Sequence, residues 1–259
     1  MQHIFQDQRS NDPTTAFQNT ISDIGLLLVA GHETTSRLLQ FTIILLAQNE
    51  HVLAKLREEI SIHRPENGQW TVQALEKLTY LDKIIKETLR LYPPVPVIPR
   101  MVTKPIVLAD IPVCKTSAEY SDAMTNRDKT KDVILHPGTA INLSPWITQR
   151  LESLYEEPMK FKPERFNSNS MDNTDSFTWF PFGVGERNCA GRRFAVQEAK
   201  LVLLNFVEKY DFKPSCQNGT LLETTMRATL RHKAEVQLDI TERNDDSMRN
   251  SSKMSVNLH

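Results

Sequence analysis

Cysteine is scarce in this chain: 259 residues hold only Cys114, Cys189 and Cys216. The three are odd in number and widely spaced, and none forms a zinc-type pair. That argues against a disulfide framework and a structural zinc site, and it fits a reducing compartment. Long apolar runs are missing too. The most apolar stretches, residues 24–30 and 38–47, are much shorter than a bilayer-spanning helix, and His32, Glu33 and Arg37 lie between them. Residues 1–13 are polar and lack the apolar core of a signal segment. No membrane anchor is therefore expected within these residues. Charge of one sign is also lacking. The net charge is −1 and no basic stripe alternates with aromatics, so nucleic acid is not an expected partner. No flavin or nicotinamide phosphate-binding fingerprint is present, and no internal repeat.

What is present reads as mainly α with minor β. Phe17, Ile21, Ile24, Leu28, Thr35, Leu38 and Leu39 recur at helical spacing, predicting a long and central helix over residues 14–48. Leu53, Leu56 and Ile60 predict a second helix over 50–62. Residues 65–68 read as a loop, and Thr71 as an N-cap. Leu78, Leu81, Ile85 and Leu89 predict a helix stopped by Pro93 and Pro94. Short strands are expected within 97–110, at 140–143 and within 225–240. A final amphipathic helix is expected just after Cys189, with Ala195, Ala199, Val202, Leu203, Phe206 and Val207 on its apolar face. Residues 114–136 show no clear period, and 241–259 are polar enough to be expected disordered.

Glycine is rare, with eight in the chain, yet three fall in the nine residues from Gly183 to Gly191 around Cys189. Glycine lets backbone approach a ligand closely or take positive φ. A cysteine that opens a helix sits in the positive end of the helix dipole, which favours the thiolate. Turn N–H groups can hydrogen-bond its sulfur, and Arg187 can pair with an anion beside it. An isolated cysteine is more often a small buried hydrophobe. Here, however, Phe182, Gly185, Arg187, Cys189 and Gly191 compose F-x-x-G-x-R-x-C-x-G, which resembles the haem-binding signature of the cytochrome P450 family.

Three further motifs follow the family's order. Residues 30–35, AGHETT, resemble its distal-helix motif. The resemblance implies that Gly31 leaves room for dioxygen and that Glu33 and Thr34 relay protons. His32 is read as a passenger. Glu87 and Arg90 match E-x-x-R, followed by Leu91-Tyr92-Pro93-Pro94, and Pro163-Glu164-Arg165-Phe166 matches P-E-R-F. By resemblance Glu87, Arg90 and Arg165 form a buried structural ion network. Arg100 and Arg187 would meet the haem propionates, and Cys189 would be the axial iron ligand.

The family further implies haem b, O2, an NADPH-dependent reductase as electron donor and a lipophilic substrate. For a complete protein it implies residence on the cytosolic face of the endoplasmic reticulum membrane. The expected domain is a partial cytochrome P450 domain over residues 14–240, the C-terminal portion of that fold with its N-terminal half absent. An insertion is expected at about 114–136, because Ile111-Pro112-Val113 and Pro137-Gly138-Thr139 lie almost side by side in the family. Gln149-Arg150 departs from the family's usual His-Arg. Besides monooxygenation, two readings remain compatible with the sequence: a non-catalytic remnant without a complete haem pocket, and a haem-thiolate isomerase or dehydratase. The intact Glu33-Thr34 pair argues against the last.

Overall fold

The computed structural model describes residues 12–112, 130–167, 177–215, 223–226, 229–233, 236–243 and 254–258. In chain order these form α1 (Pro13–Gln48), α2 (Glu50–His63), α3 (Val72–Glu76) and α4 (Thr79–Leu91), then β1 (Ile98–Met101), β2 (Ile106–Pro112), β3 (Thr130–Leu135) and β4 (Ala140–Leu143). After these come α5 (Pro145–Thr148), α6 (Arg192–Lys209), β5 (Tyr210–Pro214), β6 (Thr224–Met226), β7 (Leu230–His232), β8 (Val236–Glu242) and β9 (Met254–Leu258). The chain divides into two compact units, residues 97–144 and the remainder.

The larger unit is helical, and its element boundaries follow local chemistry. Asp12 caps α1 by accepting from the Thr15 N–H at 2.9 Å, with proline at the first helical position. The Thr71 hydroxyl caps α3 by accepting from the Ala74 N–H at 3.2 Å, as expected. Helix α4 stops at Tyr92, where Pro93 and Pro94 cannot continue it. The core gathers Leu38, Leu46, Leu53, Leu56, Leu81, Ile85, Leu89, Leu203, Leu204 and Val207 from α1, α2, α4 and α6, with Phe212 from β5 and Leu238 from β8, which pair antiparallel. Each such side chain, once buried, contributes about 1.5–3 kcal/mol. A second, smaller cluster joins Phe41, Leu45, Leu91, Tyr92 and Leu230, with the Phe41 and Tyr92 rings stacked at 4.5 Å. It fixes the β6–β7 hairpin to α1 and to the end of α4.

The smaller unit is two antiparallel strand pairs. β1 pairs with β4, placing Arg100 opposite Ile141. β2 pairs with β3, with a register shift between Leu108 and Ile111.

Four expectations need correction. α1 is central only in its second half. Phe17, Ile21, Leu26, Leu27, Leu28 and Val29 are exposed, whereas Leu38, Phe41, Ile44, Leu45, Leu46 and Ala47 are buried. Within 114–136, residues 130–135 form β3, because Val133, Ile134 and Leu135 supply an apolar, partly β-branched edge to β2; residues 114–129 lie outside the described residues. Within 241–259, β8 runs to Glu242, and Met254–Leu258 form β9 against it. There Met254, Val256 and Leu258 alternate with Ser255 and Asn257, a two-residue period masked by the polar composition around it. Finally, the buried stripe of α6 runs through Ala199, Leu203, Leu204 and Val207, while Val202 is exposed.

Candidate functional site: a cysteine turn at the start of a helix

Backbone geometry builds the cysteine turn. Gly183 and Gly185 have φ of 74° and 75°, a region that side chains resist, so the chain reverses there. A 3-10 turn over Gly185–Arg187 follows, closed by the Asn188 N–H donating to the Gly185 carbonyl at 3.1 Å. The Cys189 N–H donates back to the Phe182 carbonyl at 2.8 Å. Gly191 then caps α6, and a Cβ placed there would sit 3.9 Å from the Cys189 sulfur, in ordinary contact. Cys189 is exposed and unbonded. Cys114 and Cys216 lie outside the described residues. Among those residues no N–H donates to the sulfur; the turn spends its donors on carbonyls.

Phe182 points the other way. It packs on the core, edge-on to Trp179 at 6.5 Å, and the Arg192 guanidinium lies 5.6 Å from its ring. Phe182 therefore anchors the turn from behind. Arg187 is exposed and makes no ion pair among the described residues.

Helix α1 carries the second constellation and packs against α6. Gly31 is exposed, and a Cβ there would meet nothing within 4 Å. The Thr34 hydroxyl donates to the Ala30 carbonyl at 2.7 Å, one turn back. Glu33 reaches the β6–β7 hairpin. It accepts from the Thr229 hydroxyl at 2.6 Å and from Arg231 at 3.1 Å, both on Oε1. The Thr229 hydrogen bond, with the Arg231 and Arg37 charges, holds its carboxyl below the usual range against the opposing effect of burial.

The third constellation is buried. Arg90 grips Glu87 with two hydrogen bonds of 2.7 and 2.9 Å, and both side chains are fully buried. Glu87 Oε1 also accepts from Arg165 at 2.9 Å and from the Lys162 N–H at 2.9 Å. Arg90 continues to the carbonyls of Gln149 and Lys160, and Arg165 to those of Glu156, Glu157 and Lys160. The Tyr155 ring lies against both guanidinium groups. Arg100, in the smaller unit, donates to the Pro99 carbonyl at 2.9 Å.

A family model described as Cytochrome P450 matches residues 1–117 and 123–240. The chain belongs to the cytochrome P450 family. Cytochrome P450 3A12 of Canis lupus familiaris is 31% identical over 249 residues, which is 94% of this chain and 45% of the relative. Cytochrome P450 3A40 of Oryzias latipes is 31% identical over 252 residues, 95% of this chain and 46% of the relative. Cytochrome P450 3A28 of Bos taurus reaches 34% identity over a shorter 200 residues. The chain thus spans less than half the length of these cytochromes P450. No helix among the described residues is long and apolar enough to cross a membrane.

Two parts of this P450 site escaped the sequence reading. Gln149 is fully buried and spends its whole amide. Its Nε2 donates to the carbonyls of Leu89 and Arg90, each at 3.0 Å, and its Oε1 accepts from the Phe180 N–H at 2.9 Å. It ties the end of α4 to the chain entering the cysteine turn. Its departure from the family's His-Arg was visible in sequence, but its three partners were not. Thr229 and Arg231 were missed altogether, because nothing local links them to Glu33 almost 200 residues earlier.

Proposed function

We propose that the complete protein is a haem-thiolate monooxygenase that inserts one atom of O2 into a lipophilic substrate, with Cys189 as the axial ligand to haem b. The observation that carries this reading is an exposed, unbonded cysteine at the start of α6, held by a positive-φ glycine turn that leaves its sulfur clear. A single soft thiolate donor at Cys189 would suit a haem iron and would hold the group at this turn. When bound, the haem supplies the redox chemistry that splits O2 between product and water.

The rest of the chemistry falls to the chain's own residues. Gly185 supplies a positive φ that turns the chain before Cys189, Gly191 caps α6 next to it, and Phe182 braces the turn. Arg187, exposed two residues before Cys189, would neutralise a propionate, a role the family resemblance also implies for Arg100. Gly31 leaves open space on α1. Glu33 and Thr34 hold and move protons at their oxygens. The Thr34 proton is committed to the Ala30 carbonyl, so its oxygen acts first as an acceptor. Glu87, Arg90 and Arg165 carry load rather than chemistry. Electrons come from an NADPH-dependent reductase. The site of action is the cytosolic face of the endoplasmic reticulum membrane.

The test is the ferrous carbon-monoxide spectrum of the complete, haem-loaded protein. A red-shifted Soret band that vanishes in Cys189→Ser and persists in Cys114→Ser and Cys216→Ser is expected. A band that survives Cys189→Ser overturns the assignment. Failure of the parent protein to take up haem in titration favours a non-catalytic helical protein instead.

A further inference from the structure

Glu33 is held from outside its own helix. Its two partners come from the β6–β7 hairpin: the Thr229 hydroxyl at 2.6 Å and the Arg231 guanidinium at 3.1 Å. Both donate to Oε1, so among the described residues Oε2 takes no protein hydrogen bond. The hairpin cannot drift. The Leu230 N–H donates to the Pro94 carbonyl at 2.9 Å, the Leu230 side chain is buried with Phe41, Leu45, Leu91 and Tyr92, and His232 lies 4.3 Å from the Phe41 ring. Thr229 itself is only 5% exposed. Three residues in sequence, 229, 230 and 232, are thus fixed by packing or backbone bonds, and Arg231 between them is aimed at α1.

We propose that Thr229 and Arg231 are positioning residues for Glu33, pinning Oε1 and reserving Oε2 as the oxygen that takes up a proton and hands it on. This rests on the relay reading of Glu33 and Thr34. A carboxylate tethered by one oxygen keeps a fixed direction for the other, and it stays ionised until the tether is overcome, ready to receive a proton from water. The charged and titratable groups around it are few. Arg37 is on its own helix, Arg231 and His232 are on the hairpin, and no second described acid shares the site. The local balance is cationic, which acts in the same direction as the tether. Arg231 is thus placed to set the pH below which proton delivery stops.

The experiment has two arms. In the first, carboxyl carbons of 13C-glutamate-labelled chain are titrated by NMR, with Glu33→Gln to assign the Glu33 signal. Thr229→Val and Arg231→Gln are each expected to raise the proton affinity of Glu33 about tenfold, with Thr229→Ser and Arg231→Lys returning most of the parent behaviour. An unmoved Glu33 titration in both Thr229→Val and Arg231→Gln overturns the proposal and leaves the relay standing. In the second arm, the complete haem-loaded protein is assayed against pH for product formed per nicotinamide oxidised. Arg231→Gln is expected to shift the acid limb of that profile to higher pH by the same tenfold in proton concentration. A Glu33→Gln variant with unchanged coupling sinks the relay itself, and the positioning role with it, even where the titration has moved.

Discussion

Thr34 sits mid-helix with its hydroxyl bonded back to the Ala30 carbonyl. Such a bond adds little to a helix that alanine would form better. Thr34→Ala is therefore expected to leave fold and haem content intact in the complete protein and to fail in coupling alone. Acid–base groups contribute about 10²–10⁴-fold, so product per nicotinamide oxidised should fall while peroxide release rises. Unchanged coupling would contradict the relay. His232 makes a different prediction. Burial, with Arg37 nearby, lowers its pKa from 6.5 to about 4. Between those values the unfolded chain binds the proton that the folded chain refuses, so this histidine costs stability progressively as pH falls from 6.5 to about 4 and no more below. His232→Phe, which keeps a ring against Phe41, is expected to lose less stability than the parent across that window and to match its pH slope above it. Denaturant melts at a series of pH values read this directly, and parallel curves through the window would refute it.

Among the elements, α4 carries the heaviest constraint. Its buried face alternates leucine and isoleucine with a fully buried ion pair, Glu87 and Arg90. Truncating Arg90 removes two of the four hydrogen bonds to a fully buried carboxylate and leaves the network short of a charge, at about 3–5 kcal/mol. Arg90→Ala is expected to lose soluble protein and haem together, whereas a folded, haem-bearing variant lacking only turnover would show that Arg90 does chemistry. Much of this was legible beforehand. Residues three apart on a helix share a face, so the Glu87–Arg90 pair follows from spacing, and Arg165 joined it through the family pattern. The bounds of α1 and α2 followed from apolar period, and the end of α4 from Pro93 and Pro94. What stayed hidden depends on partners distant in sequence. β3 and β9 exist because β2 and β8 offer them edges. Gln149 matters because three backbone groups from two other segments converge on it. The exposed half of α1 has the same apolar period as the buried half, and no local feature separates them. The cysteine turn was the opposite case, since its glycines, its cysteine and the following helix are contiguous, and local chemistry suffices.

At the scale of the whole molecule, the larger unit is closed by contacts between residues far apart in the chain. Glu87 is the focal point, accepting from Lys162 75 residues on and from Arg165 78 residues on. Closing a loop of that length costs about 4 kcal/mol of chain entropy on the logarithmic law. Until it closes, the carboxylate lacks two of its four hydrogen bonds. Native-state hydrogen exchange is expected to reflect this. The amides of α4 and those of residues 149–165 should exchange through one shared opening, with equal free energies and equal sensitivity to denaturant. Separate openings for the two segments would show that the network does not couple them. The consequence is one of timing. A helix with a good local pattern is nonetheless a late arrival, because its centre must await a segment synthesised many residues afterwards. The carboxylate on α4 gains its full set of partners only when Arg165 is delivered, so this fully buried charge acts as a clock on when the core closes.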